Sequence, residues 1–126
     1  MTGRPIEDLI VWQLAHEFKV ATYALAATPR ASADRYYVDH LRRTAASVEL
    51  NIVEGYHRRG PRDFARFLTI ARASLAEADA QLHDGIDRGY FRPEDLNSTN
   101  ALARRLVPAI MSLRRSLLAR ADSTTS

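Results

Sequence analysis

Apolar positions recur along this chain at steps of three and four, the mark of amphipathic helices. Nowhere do they alternate at the step of two that a half-buried strand requires. The pattern predicts four helices. The first, about 8–27, repeats Ile10, Leu14, Phe18, Ala21 and Leu25, with Glu7 and Asp8 at its positive end. The second, about 33–59, carries the stripe Leu41, Ala45, Val48 and Ile52, with Ser32 placed to cap it and Asp34 in its first turn. The third, about 61–88, has the cleanest seam: Phe64, Leu68, Ala71, Leu75, Ala78 and Leu82. The fourth, about 93–121, repeats Leu102, Leu106, Ile110, Leu113 and Leu117.

The breaks between them are equally legible. Gly60-Pro61 ends one helix and starts the next, because glycine relaxes the backbone and proline suits a first helical turn. Gly85 and Gly89 are expected to loosen the end of the third helix, and Pro93, Glu94 and Asp95 to open the fourth. Pro108 removes a hydrogen bond inside that helix and predicts a kink. The polar tail 122–126 is expected to fray. Four helices joined by short turns fit one domain, 1–126, of the all-α class: an antiparallel up-down-up-down four-helix bundle.

Composition narrows the function classes. Apolar residues make up 46% of the 126, enough for a core without staples. The chain has no cysteine, which excludes disulfides and thiolate chemistry and fits a reducing compartment. The longest apolar run, Val20 to Ala27, falls far short of the ~20 residues that span a bilayer. The start, Met1 to Pro5, lacks the apolar centre of a signal peptide. A cytoplasmic protein with no membrane contact is expected. Net charge is only +3, yet every basic residue except Lys19 is arginine. Arginine forks match phosphates, although a GC-rich genome also favours arginine and alanine codons together.

Three groups of residues lie off the core stripes. Ser47, Asn51 and Glu54 line one shoulder of the second stripe, and Ser74, Glu77 and Gln81 echo them on the third. Two polar sets on matching shoulders imply a hydrogen-bonded network between helices or subunits, of the kind that fixes register. Leu50 and Val53 on the second helix, and Val107, Met111 and Leu118 on the fourth, are apolar residues to spare. Aligned rows of this kind are better explained by subunit contact than by chance exposure. Arginine forms the third group. Arg58, Arg59, Arg62 and Arg66 crowd the turn between the second and third helices, and Arg104, Arg114 and Arg115 share an outer face of the fourth. Arg62 and Arg66 stand at a helix start, where the dipole disfavours cations by roughly 0.3–1 kcal/mol each, so local helix stability does not explain them. A nearby carboxylate or a bound phosphate could, and solvated arginines are the plain alternative. No aromatic residues interleave with the arginines to suggest base stacking, so a nucleic acid would be read through its backbone.

Catalytic constellations are not found. Glu54-Gly55-Tyr56-His57 is a single Glu-x-x-His step, whereas a di-iron bundle needs two such steps and two further glutamates. There is no glycine-rich phosphate loop and no nucleophile elbow. No metal, cofactor or small-molecule substrate is expected.

The landmarks Asp8-Leu9-Ile10-Val11-Trp12-Gln13, Leu41-Arg42-Arg43-Thr44-Ala45-Ala46-Ser47-Val48 and Asn51-Ile52-Val53-Glu54-Gly55 occur in that order. Phe64 to Glu77 and the turn Gly89-Tyr90 follow. Over about 8–92 the chain resembles the bacterial four-helix-bundle proteins found in intervening sequences of 23S rRNA genes. Glu49-Leu50, where a short polar or proline-containing pair is common, and Ala73, where glycine is frequent, depart from that pattern. The resemblance implies a homo-oligomer, most simply a pentameric ring, without established catalytic activity. It implies distant kinship with the basic pentameric accessory proteins of diversity-generating retroelements, which bind a reverse transcriptase and nucleic acid. The expectation is therefore a non-enzymatic homopentameric scaffold holding RNA, DNA or a ribonucleoprotein through its arginines. A protein-only adaptor, its arginines pairing with acids between subunits, is the second reading, and a metal-dependent enzyme the third.

Overall fold

A computed structural model describes residues 5–124. A 3-10 turn at Ile6–Asp8 precedes α1 (Ile10–Ala26), the short α2 (Pro29–Ser32), α3 (Arg35–Tyr56) and α4 (Pro61–Asp87). A second 3-10 turn, Pro93–Leu96, leads directly into α5 (Asn97–Thr124). The described residues contain no strand. α1 packs on α3 and α5, and α4 packs on the same two, so each long helix has two long neighbours around a shared core. That core is mostly aliphatic: Leu14, Leu41, Ile52, Leu68, Leu75, Leu82, Leu106 and Ile110 are fully buried, with Phe18 the one aromatic side chain among the largest of them. Gly60 takes a left-handed φ of +91° and Pro61 occupies the first turn of α4, as glycine and proline allow there.

Several expected boundaries shift. Leu9 is extended, so α1 starts at Ile10 and buries Val11, Leu14, Ala15, Phe18, Thr22 and Ala26. Ile10, expected in the core, is 50% exposed. Ser32 lies inside α2, and the cap of α3 is Asp34, whose carboxylate accepts from the Tyr37 amide at 3.1 Å. α3 stops at Tyr56, which leaves Arg58 and Arg59 beyond the helix. α5 runs unbroken through Pro108 and on to Thr124, so residues 122–124 of the tail are helical, and 125–126 lie outside the described residues. Gly85 does not loosen α4: it is buried in it, against Tyr37 and Phe91.

Candidate functional site

The two polar shoulders meet at one point between α3 and α4. The hydroxyls of Ser47 and Ser74 are 2.8 Å apart, and the Asn51 amide donates to the Ser47 carbonyl at 2.8 Å and to its hydroxyl at 3.0 Å. The other three polar residues go elsewhere. Glu54 is exposed and accepts from Arg58 Nε at 3.0 Å. Glu77 lies 3.4 Å from His40 Nε2, and the Gln81 amide lies 3.2 Å from His40 Nδ1. The short side chains thus join the helices. Glu77 and Gln81 also cross from α4 to α3, at His40, but on the exposed rim. Glu54 pairs within its own chain segment with Arg58, and water screens both contacts.

No sequence pattern pointed to a second junction, between α1 and α3. Glu49, with 13% of its side chain exposed, lies 3.0 Å from Lys19 Nζ and 3.1 Å from His16 Nδ1. Trp12 stacks on His16 with ring centroids 4.9 Å apart. The one sequence signal was that Glu49 departs from the family pattern.

A third polar knot joins the start of α3 to the end of α4. The Tyr90 hydroxyl donates to Asp34, and Arg88 lies 3.4 Å from the same carboxylate and 2.6 Å from Asp84. The Tyr90 hydrogen bond, followed by that from the Tyr37 amide, holds Asp34 below the usual carboxylate range. Burial pushes the Tyr37 phenol up to about 12, and its hydroxyl donates to the Gln81 carbonyl at 2.7 Å. All of this is internal bracing.

The arginines divide into two populations. At the α3–α4 turn, Arg66 donates to Asp63 at 3.2 Å, and Arg58 lies 3.9 Å from the same residue. Both guanidiniums sit over the Phe67 ring, at 4.5 and 4.9 Å. Arg62 lies 3.3 Å from Asp122 of α5. Carboxylates therefore offset the unfavourable dipole that Arg62 and Arg66 face. Arg59 is exposed in the turn. A cleft of about 380 Å³ opens beside this cluster between Tyr56, Phe64 and Leu117.

The second population is on α5. Arg104, Arg105 and Arg115 are exposed and have no ion-pair partner among the described residues. Arg114 is half-buried and donates to the Thr69 hydroxyl at 2.9 Å. Arg105, next to Arg104, joins the group only in the structure. Its signal was the absence of any acid from Asn97 to Ala121, a stretch holding five arginines.

The spare apolar residues also divide. Leu50 is exposed and Val53 half-buried. Val107 and Leu118 pack against the core, and Met111 is half-buried with its sulfur 3.6 Å from Arg72 Nη1, so the row on α5 is not free. The apolar arc of α5 is wider than a strict stripe because α4 covers its side. Other large apolar side chains are exposed too: Ile10, Val20 and Tyr23 on α1, Tyr36 on α3 and Ile70 on α4.

Among the described residues no three histidine or carboxylate side chains gather as metal ligands, and no helix is long and apolar enough to cross a membrane. His57 lies beyond the end of α3, exposed to solvent. The model of one family, described as 23S rRNA-intervening sequence protein, matches residues 7–112. The match runs past the landmarks into the first half of α5. No curated protein matches the chain.

Proposed function

The chain belongs to the 23S rRNA-intervening sequence protein family, and from that premise we propose that it is a non-enzymatic cytoplasmic scaffold, a ring of copies that holds a polyanion along α5. In this reading the four long helices form an antiparallel up-down-up-down bundle, which their pairwise packing supports, and five copies close the ring. The observation that carries the polyanion is the charge of α5. It holds Arg104, Arg105, Arg114, Arg115 and Arg120 before its first acid, Asp122. Arg104, Arg105 and Arg115 have no ion-pair partner among the described residues. A ring repeats this patch, so binding is multivalent and steeply salt-dependent. α5 has no aromatic residue, so contacts go to phosphates and not to bases. The family's name makes RNA the first polyanion to try.

Single-stranded RNA binding, followed by fluorescence anisotropy across a salt series, tests this. Each phosphate contact should contribute about −0.7 to the log–log slope. Replacing Arg104, Arg105 and Arg115 together by alanine should flatten the slope and weaken binding, while Arg62→Ala leaves both unchanged. Absence of binding at ~50 mM salt rules the proposal out. The protein-only adaptor then takes its place. It draws support from the pairing of Arg58, Arg62 and Arg66 with carboxylates, and it expects Arg62→Ala and Arg66→Ala to weaken assembly instead.

A further inference from the structure

Assembly needs two surfaces that fit each other, and α1 and α3 carry a matched pair. On α1, Ile10, Glu17 and Ala24 stand seven residues apart, and all three are exposed. On α3, Tyr36, Arg43 and Leu50 do the same. A step of seven keeps side chains nearly in line along a helix, which is the geometry of a coiled-coil seam. The apolar members project into solvent: Tyr36 is 81% exposed and Leu50 63%. Beside the α1 line, Val20 is 52% exposed.

Charge picks out the same two lines. Glu17 and Arg43, at their midpoints, are exposed and have no ion-pair partner among the described residues. The charges next to them are engaged: Lys19 with Glu49, and Arg42 with Asp39. Set the helices antiparallel with Ile10 against Leu50. Glu17 then falls opposite Arg43 and Ala24 opposite Tyr36, because both lines step by seven. Apolar meets apolar, acid meets base and a small residue meets a large ring.

We propose that α1 of one copy docks antiparallel on α3 of the next in this register. The proposal rests on the assembly reading above. A single chain cannot make the contact, because its own α1 and α3 already pack through other faces, which bury Val11, Phe18 and Thr22 on α1 and Leu41 and Val48 on α3. Made once per copy, α1 to α3 in one direction around the assembly, this contact is heterologous and closes into a ring where the rotation between copies allows, whereas its reciprocal use would give a two-fold dimer. It leaves the α5 arginines uncovered.

The chain has no native cysteine, so cross-linking reads the register directly. The full-length Ile10→Cys/Leu50→Cys variant, oxidised and run without reductant, should give a ladder of linked copies. Ile10→Cys/Tyr36→Cys, which samples the parallel register, should give none. Glu17→Arg and Arg43→Glu should each weaken assembly by roughly tenfold in light scattering, because each sets like charges in contact. The double exchange Glu17→Arg/Arg43→Glu should restore it, which also shows that the single variants fold. A ladder from the Tyr36 pair, or an oligomer indifferent to both charge changes, overturns the register and leaves the ring standing. A wild-type chain that stays monomeric overturns both.

Discussion

A methyl group added at Gly85 tests how α4 is locked to α3 and to the turn before α5. A Cβ there lies 2.5 and 2.6 Å from two carbons of the Phe91 ring, and closer still to the Tyr37 hydroxyl. Two effects compete. Alanine is the better helix former by about 0.8–1 kcal/mol, which favours the variant. Against it, overpacking costs about 1–3 kcal/mol when neighbours must move. These neighbours are not free to yield: Phe91 is buried against Tyr37, and Tyr37 donates to the Gln81 carbonyl. Loss of that hydrogen bond adds roughly 0.5–1.5 kcal/mol. The clash wins, and Gly85→Ala should lose about 1–3 kcal/mol, at about 3–5 °C of Tm per kcal/mol. Urea unfolding followed by far-UV circular dichroism measures it, at one fixed protein concentration because assembly couples to stability. In a Phe91→Leu background the penalty should shrink, since one of the two obstacles is gone. A Gly85→Ala protein as stable as the parent would refute the packing, because helix propensity would then have outweighed the clash.

Three further outcomes follow from buried polar groups. Tyr37 should ionise near pH 12, late against a normal tyrosine, in an ultraviolet absorbance titration, and Tyr37→Phe should remove that late step. Because its folded pKa is raised, its contribution to stability is complete below the ordinary value of 10.0 and is lost as pH climbs through about 12. Thr22 is fully buried and its hydroxyl has no hydrogen-bond partner among the described residues, so Thr22→Val should raise stability by about 1 kcal/mol in urea unfolding; no gain means the hydroxyl is bonded after all. Glu49→Ala should cost about 1 kcal/mol, since it leaves Lys19, 22% exposed, without its carboxylate, and adding Lys19→Met should recover part of the loss.

What was legible in the amino-acid pattern depended on how local the determining contact was. The stripes of α3 and α4 were read in the right phase because their central buried steps, Leu41, Ala45, Val48 and Ile52 on one and Leu68, Ala71, Leu75, Ala78 and Leu82 on the other, are aliphatic or alanine. α1 was misphased: its true stripe includes Thr22, which hydropathy discounts, and omits Ile10, which hydropathy favours. The Ser47–Ser74 contact was foreseen because short side chains can bond only to what faces them. Glu54 was harder to place, since a long side chain reaches whichever group is near, here Arg58 Nε at 3.0 Å. The carboxylate that holds Arg62 could not be found at all, because Asp122 is 60 residues away in sequence. Helix ends suffered likewise. The cap at Asp34 depends on where α2 stops, and that is decided by Ala31 packing into the core.

Division of labour between helices gives the two proposals opposite signs in one experiment. Glu17→Arg replaces a negative charge by a positive one, adding two units to a protein of net charge +3. If RNA affinity followed charge alone, this variant would bind more tightly at every salt concentration. If the α5 patches act together around a ring, the same change separates the copies, and each copy binds with only its own few exposed guanidiniums. Multivalent attachment exceeds single attachment by about 10²–10⁴ where the geometry allows simultaneous contact. Two added charges, worth a few phosphate contacts at most, do not offset that loss. Glu17→Arg should therefore weaken RNA binding and flatten its salt slope, and Glu17→Arg/Arg43→Glu should recover both. Tighter binding by Glu17→Arg with the oligomer intact would show that Glu17 is not at the subunit contact. Tighter binding with the oligomer dispersed would show that α5 holds RNA one copy at a time.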